Sequence, residues 1–278
     1  MNVKQHTLRC PINFAGIGLH TGEIGDITLT PAAPYTGIKF VFNDAEQTHV
    51  AATLGNVKST SYATLLAYKD RSVSTVEHLM AALYAHNVNN CLIYVAGAEI
   101  PILDGSSELF SQKIVGAGII AQDSNADVFM FPEARLEYND SYIITKPNPT
   151  RFILSAQVEF NNISQQKTID IDRYSFHSEI APSKTFVYSD DVVKLKAAGL
   201  IKGGSLDNAC VLDNNGHVIN PQNSVFQDDI VRHKMLDVIG DFSLCGKRLY
   251  GEVFIYKPGH SVNTYFINKL VNGETNER

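Results

Sequence analysis

The chain has 278 residues, of which 44% are apolar and 19% charged. That composition describes a globular protein of one or two domains with room for a sizeable core, and excludes a disordered chain. With 23 Lys and Arg against 29 Asp and Glu, the net charge is −6, which argues against a protein that mainly grips nucleic acid or an anionic membrane but allows one local basic pocket.

The N-terminal stretch MNVKQHTLRCPINF has no long apolar run and no small-residue cleavage site, so no signal peptide is expected there. Apolar runs such as Cys91–Ala96 are far shorter than the roughly 18 residues of a membrane span. A cytoplasmic protein is therefore expected. Gly16-Ile17-Gly18-Leu19-His20-Thr21-Gly22 is rich in glycine but matches neither dinucleotide nor nucleotide phosphate-loop spacing, and reads as a tight turn. Short strands are predicted at Ile27–Leu29 and Ile38–Phe42, a helix over Ser74–Ala85, and a strand at Cys91–Ala96. A second helix is expected over Ser106–Val115, stopped by Gly116 and Gly118. Asp123–Asp127 reads as a linker, giving domains 1–124 and 125–278. Beyond it we expect strands at Tyr142–Thr145, Arg151–Phe160 and Tyr250–Tyr256. Helices are expected at Asp190–Ala198, Asp228–Leu244 and Asn263–Val271. Strands followed by helices in both halves indicate an α+β fold. Cys10, Cys91, Cys210 and Cys245 are widely spaced and form no C-x-x-C pair, so neither a disulfide scaffold nor a thiolate metal site is expected.

Three places carry residues suited to chemistry. His233, Asp237 and Asp241 fall at i, i+4 and i+8 of one helix and form a polar stripe. An imidazole and a carboxylate one turn apart can share a metal ion, but the same stripe also fits a solvated helix face. Glu77 beside His78 has the arrangement of a general base next to a metal ligand. Ser74-x-x-Glu77 equally fits a capping box, and His78 a core histidine. His260 follows Pro258-Gly259 in a predicted loop, where a mobile acid or a plain surface residue would both be at home. Val76-x-His78-x-Met80 and Val231-x-His233-x-Met235 echo each other, as a duplicated domain would.

Taken together, GIGLHTG (16–22), STVEHLMAAL (74–83), EIPILDGS (99–106), KTF (184–186), GGS (203–205), VRHKMLDVIGD (231–241) and GH (259–260) resemble, in order and over nearly the whole chain, the zinc-dependent UDP-3-O-acyl-N-acetylglucosamine deacetylases of lipid A synthesis. The resemblance implies two similar two-layer domains, each a sheet with helices, with the helices packed between the sheets and the active site at the domain interface. It implies hydrolysis of the substrate's acetamide. It implies His78, His233 and Asp237 as ligands of zinc, a set that ferrous iron also accepts. Glu77 matches the general base, His260 the second catalytic group, Asp241 the carboxylate that orients it, and Thr185 a hydroxyl that steadies the oxyanion. Lys234 matches a lysine facing the nucleotide-sugar, and Phe186 the start of an apolar passage for the acyl chain, with an insert at about 187–212. His20 and Phe160 align near the nucleotide. The implied partner is this small-molecule nucleotide-sugar, with no nucleic acid and no stable membrane insertion, and a monomer is expected. One departure stands out: the family's Arg-Thr-Phe-Gly is Lys184-Thr185-Phe186-Val187 here, which bears on acyl-chain length, not on the chemistry. The other readings are a zinc amidase acting on another acylated amino sugar, a non-catalytic nucleotide-sugar-binding protein, and a purely structural domain pair.

Overall fold

A computed structural model describes residues 3–44, 47–160 and 162–275. Its helices are α1 (Glu77–Ala85), α2 (Glu108–Ala117), the single turn α3 (Arg173–Ser175), α4 (Ser189–Ala197), α5 (Asp229–Ser243) and α6 (His260–Val271). The first sheet runs in the spatial order Ile12–Ile17, Ile24–Pro31, Cys91–Ala96, Ile38–Phe42, His49–Ala51. Its successive pairings are antiparallel, antiparallel, parallel and antiparallel. The second sheet runs Ala134–Tyr138, Ser141–Lys146, Arg248–Tyr256, Phe152–Phe160, Ile163–Asp170, and repeats the same series of directions. In each, two hairpins flank a central strand that follows a helix, α1 in one case and α5 in the other. The faint echo between the two histidine motifs thus has a topological counterpart.

Each half also carries an insertion between its fourth sheet strand and that helix. The first contains the three-stranded meander Val57–Ser59, Leu65–Tyr68, Arg71–Val73. The second contains α3, α4 and the parallel pair Phe186–Tyr188 and Cys210–Leu212. Among the described residues, every strand pairing stays within 4–125 or within 128–256. The segment read as a linker is largely strand: Ile119–Asn125 pairs with Lys4–Leu8, and only Ala126 and Asp127 separate it from the next strand. Its polar residues sit on an exposed two-stranded ribbon, where small polar side chains are no obstacle to pairing. Other boundaries shift as well. α1 starts at Glu77, α2 runs through Gly116 to Ala117, and α6 starts at His260. No helix among the described residues is long and apolar enough to cross a membrane, and all four cysteines are free.

The core lies where α1 and α5 pack on one another. Both are buried nearly all round: eight of the nine residues of α1, and every residue of α5 except Lys234. A helix covered on every side has no solvated face, so the stripe His233–Asp237–Asp241 is buried at 3%, 1% and 0% exposure. The reading of that stripe as a solvated face is therefore overturned. The crossing is close because of Gly240. A Cβ there would lie 2.2 Å from the carbonyl oxygen of Glu77.

Gly240→Ala should therefore destabilise the fold by about 1–3 kcal/mol or more, as overpacking does. In an open helix the same change stabilises by about 1 kcal/mol, so a fall in the denaturant-unfolding midpoint is the expected signature of the close crossing, and a rise would contradict it.

Candidate active site

The crossing brings His78 of α1 against His233 and Asp237 of α5. One candidate ligand atom from each of the three lies within 4.8 Å of the others, and all three residues are buried. Asp237 Oδ1 stands 3.9 Å from His78 Nε2 and 3.6 Å from His233 Nε2. Tetrahedral ligands of a zinc-sized ion stand about 3.4 Å apart. His233 Nδ1 lies 3.1 Å from the carbonyl of Ser183. That contact makes Nδ1 the protonated nitrogen and leaves the Nε2 lone pair facing Asp237. Asp237 Oδ1 and His78 Nδ1 are buried without a hydrogen-bond partner, an uncommon state for polar atoms.

Burial, reinforced by neighbouring His233, holds His78 down to about 3, so it is neutral at physiological pH. Burial also lowers His233, against the pull of Asp237. At Asp237 burial works the other way, but Lys234 and the surrounding histidines outweigh it and keep the carboxyl well below the usual carboxylate range. Two neutral imidazoles and an ionised carboxylate aimed at one point are the donor set of a divalent metal, and the residues fit such an ion.

Glu77 opens α1 but does not cap it. The N-cap residue is Val76, with no side-chain cap bond. The amide of Ser74 donates to Ala98, and Glu77 Oε2 accepts the amide of Thr64 at 3.1 Å. Neither half of a capping box forms, and that reading is set aside. Burial pushes the Glu77 carboxyl up to about 7. Its Oε1 lies 3.7 Å from His260 Nε2. His260 is the first residue of α6, not a loop residue, and its Nδ1 is 2.9 Å from Asp241 Oδ2. Burial disfavours the imidazolium, but Asp241, Asp237 and Glu77 outweigh it and raise His260 to about 10. The resulting file is Glu77–His260–Asp241, a base beside a cation held by a second anion.

Glu77, His78, His233, Lys234, Asp237 and His260 line one cavity of about 560 Å³. An apolar cavity of about 400 Å³ adjoins it, between the second insertion and His20. Thr185, Phe186 and Val187 border both. The backbone of Thr185 is pinned by Gly105 and Cys210: its amide donates to the Gly105 carbonyl and its carbonyl accepts the Cys210 amide. Phe186 packs edge-on to Phe160, which borders the larger cavity. His20 borders the apolar cavity only, with both ring nitrogens buried and unpartnered. Lys234 reaches the larger cavity but spends its ammonium on Asp237 Oδ2 at 2.8 Å, beneath the Phe186 ring.

Four contributors were not singled out from the sequence. Thr64 touches both carboxylates of the file, through its amide on Glu77 and its hydroxyl on Asp241 at 2.6 Å. Asn263 donates to Asp241 Oδ2 at 2.9 Å. Ser183 orients His233 through its carbonyl, and Ser107 donates its hydroxyl to the carbonyl of His78. Only Asn263, one turn beyond His260 on the same helix, offers a local spacing signal; the others reach the site from distant segments.

The family model for UDP-3-O-acyl N-acetylglycosamine deacetylase matches residues 5–272. The chain is 38% identical to the UDP-3-O-acyl-N-acetylglucosamine deacetylase of Syntrophotalea carbinolica, over 97% of this chain and 88% of that one. It is 34% identical to the protein of the same name from Brucella melitensis, over 99% and 98% of the two chains. A buried His–His–Asp cluster beside a glutamate and a charged histidine, with a family match over almost the full length, leads to one conclusion: this chain belongs to the UDP-3-O-acyl N-acetylglycosamine deacetylase family.

Proposed function

We propose that the protein hydrolyses the acetamide of UDP-3-O-acyl-N-acetylglucosamine, releasing acetate and UDP-3-O-acyl-glucosamine, an early step of lipid A biosynthesis. The observation that carries this reading is the convergence, in one cavity, of His78, His233 and Asp237 with Glu77 and His260, beside a second cavity lined mostly by apolar side chains. The first set suits amide hydrolysis and the second suits an acyl chain.

A divalent cation, proposed to be zinc with ferrous iron as the alternative, would be held by His78, His233 and Asp237 and would supply Lewis acidity. Glu77, with its carboxyl raised to about 7, takes the proton of the attacking water. The Thr185 hydroxyl donates to the oxyanion as it develops. Cationic His260 faces the same charge and gives its proton to the departing amine, and Asp241 keeps it charged until then. Lys234 serves the nucleotide-sugar, with Phe160 beside it; Phe186 opens the acyl passage, and His20, expected near the nucleotide, instead lines that passage. This scheme assigns catalysis to the interface of domains 1–124 and 125–278 in a cytoplasmic monomer.

Removing metal with a chelator should abolish deacetylation, and adding back zinc should restore it. Glu77→Gln should keep its metal, measured by elemental analysis, yet lose about 10²–10⁴ in kcat, the usual worth of a general base. Full turnover by the variant, or by metal-free protein, would sink the scheme.

The pH dependence follows from the same file. Activity should rise as Glu77 deprotonates near pH 7 and fall as His260 loses its proton near pH 10. Asp241→Asn removes an anion that raises both His260 and Glu77, so the alkaline limb should move down by about one pH unit or more and the acid limb should move down with it. An unmoved alkaline limb in a kcat/KM profile contradicts the pairing.

Each methylene removed from the acyl chain should cost about 0.8 kcal/mol, or about fourfold in affinity, while the chain still fills the apolar cavity. Equal KM values for long- and short-chain substrates would remove the cavity from the scheme.

A further inference from the structure

The glycine-rich loop at 16–22 is wrapped around a carboxylate, that of Glu99. Glu99 is 4% exposed. Its Oε1 accepts the amide of His20 at 2.9 Å and the hydroxyl of Thr75 at 2.8 Å. Its Oε2 accepts the amide of Thr21 at 2.8 Å, the hydroxyl of Thr21 at 2.7 Å and a longer contact from the His20 amide at 3.2 Å. Four donors from two distant segments thus meet on one anion. Charge-assisted bonds of this kind are about twice as strong as neutral ones. Gly18 is what allows the approach, because a Cβ there would lie 2.4 Å from Glu99 Oε2.

Both segments border the places where substrate would lie. Leu19 and His20 line the apolar cavity. Their carbonyls also accept the amides of Gly203 and Lys202, which fastens the second insertion to this loop. Thr75 lines the catalytic cavity, two residues before Glu77. It has φ +58°, a left-handed backbone that a β-branched residue adopts only when its surroundings enforce it. The hydroxyl bond to Glu99 is one such constraint. Backbone bonds from Ser74 to Ala98 and from Ile100 to Ser74 are another, and the amide of Ile102 donates to Ile17. Glu99 therefore sits on a short extended segment held between the loop and the start of α1.

We propose that Glu99 is a positioning residue whose carboxylate holds the His20 wall of the apolar cavity in register with the segment that presents Glu77, so that one buried anchor sets both acyl-chain seating and attack on the acetamide. This rests on the deacetylase reading and deepens it. Glu99 touches no reacting atom in this scheme. It acts through the loop on one side and through Thr75 on the other. A glutamine cannot replace it fully, because one of its two terminal atoms is a donor and would face groups that themselves donate.

The test uses Glu99→Gln, Thr21→Val and Thr75→Val in the metal-loaded, full-length protein, with substrates of long and short acyl chain. Glu99→Gln should lower kcat on both substrates by about tenfold and erode the KM advantage of the long chain, with metal content close to wild type and a melting temperature lowered by a few degrees by the mispaired amide. Thr21→Val should erode the KM advantage alone, and Thr75→Val should lower kcat alone. The two threonine variants keep the test decisive should Glu99→Gln fail to fold. Unchanged kcat and chain-length preference in these variants would overturn the proposal. So would a loss that comes only with lost metal, or one in which the two threonine variants change kcat and KM alike, as a general structural role would give. Wild-type inactivity on both substrates would instead sink the deacetylase reading and this inference with it.

Discussion

The distance between α1 and α5 at Gly240 governs the rest of the molecule. A backbone contact this short lets His78 from one half and Asp237 from the other sit within 3.9 Å. One added methyl group at residue 240 would press the helices apart where the ligand set needs fractions of an ångström. The two sheets, each with its hairpin–strand–hairpin order, cover that helix pair. The insertions then supply what the helices lack. Thr64 comes from the first, and Thr185, Phe186 and the apolar cavity come from the second.

Burying so many ionisable groups is costly unless each finds a partner. Asp241 finds three donors, in Thr64, His260 and Asn263. Asp237 has Lys234 on one oxygen and the open face of two imidazoles on the other. Glu77 has a single amide at hydrogen-bonding distance and a cationic neighbour at 3.7 Å. These unequal environments push Glu77 and Asp237 apart. Glu77 is poised near neutrality, Asp237 is held ionised, and Asp241 serves as the counter-ion of His260. One cavity thus holds two carboxyl groups, Glu77 and Asp237, whose affinities for a proton are pushed in opposite directions, the condition for acid and base work at one pH.

Much of this was legible in the sequence wherever the signal was local. His233, Asp237 and Asp241 announce themselves by helical spacing, and the helix itself by its apolar residues. The family motifs singled out His78, His233 and Asp237, which the fold brings together. What local spacing could not decide was whether the stripe faced water or core, since that depends on a second helix more than 140 residues away in the chain. The capping-box pattern at Ser74–Glu77 misled for a related reason: a non-local partner, Thr64, claimed the glutamate. Strands such as Ile163–Asp170 were missed because an edge strand of polar residues lacks the alternation that marks a half-buried one. Glu99 lay in plain view within a motif, but only the folded chain reveals which donors surround it.

The order of strands also bears on how the protein is made. In each sheet the central strand is the last of that sheet to leave the ribosome, Cys91–Ala96 in the first and Arg248–Tyr256 in the second. Until it arrives, each half holds two separate hairpins, and isolated hairpins are marginal in water. The first sheet can close early in synthesis, with α1 then exposing a face that α5 has yet to cover. The second closes only after residue 256, and His260 follows four residues later. Glu77 and His78 thus wait on residues 233–260 before the cavity they share can form.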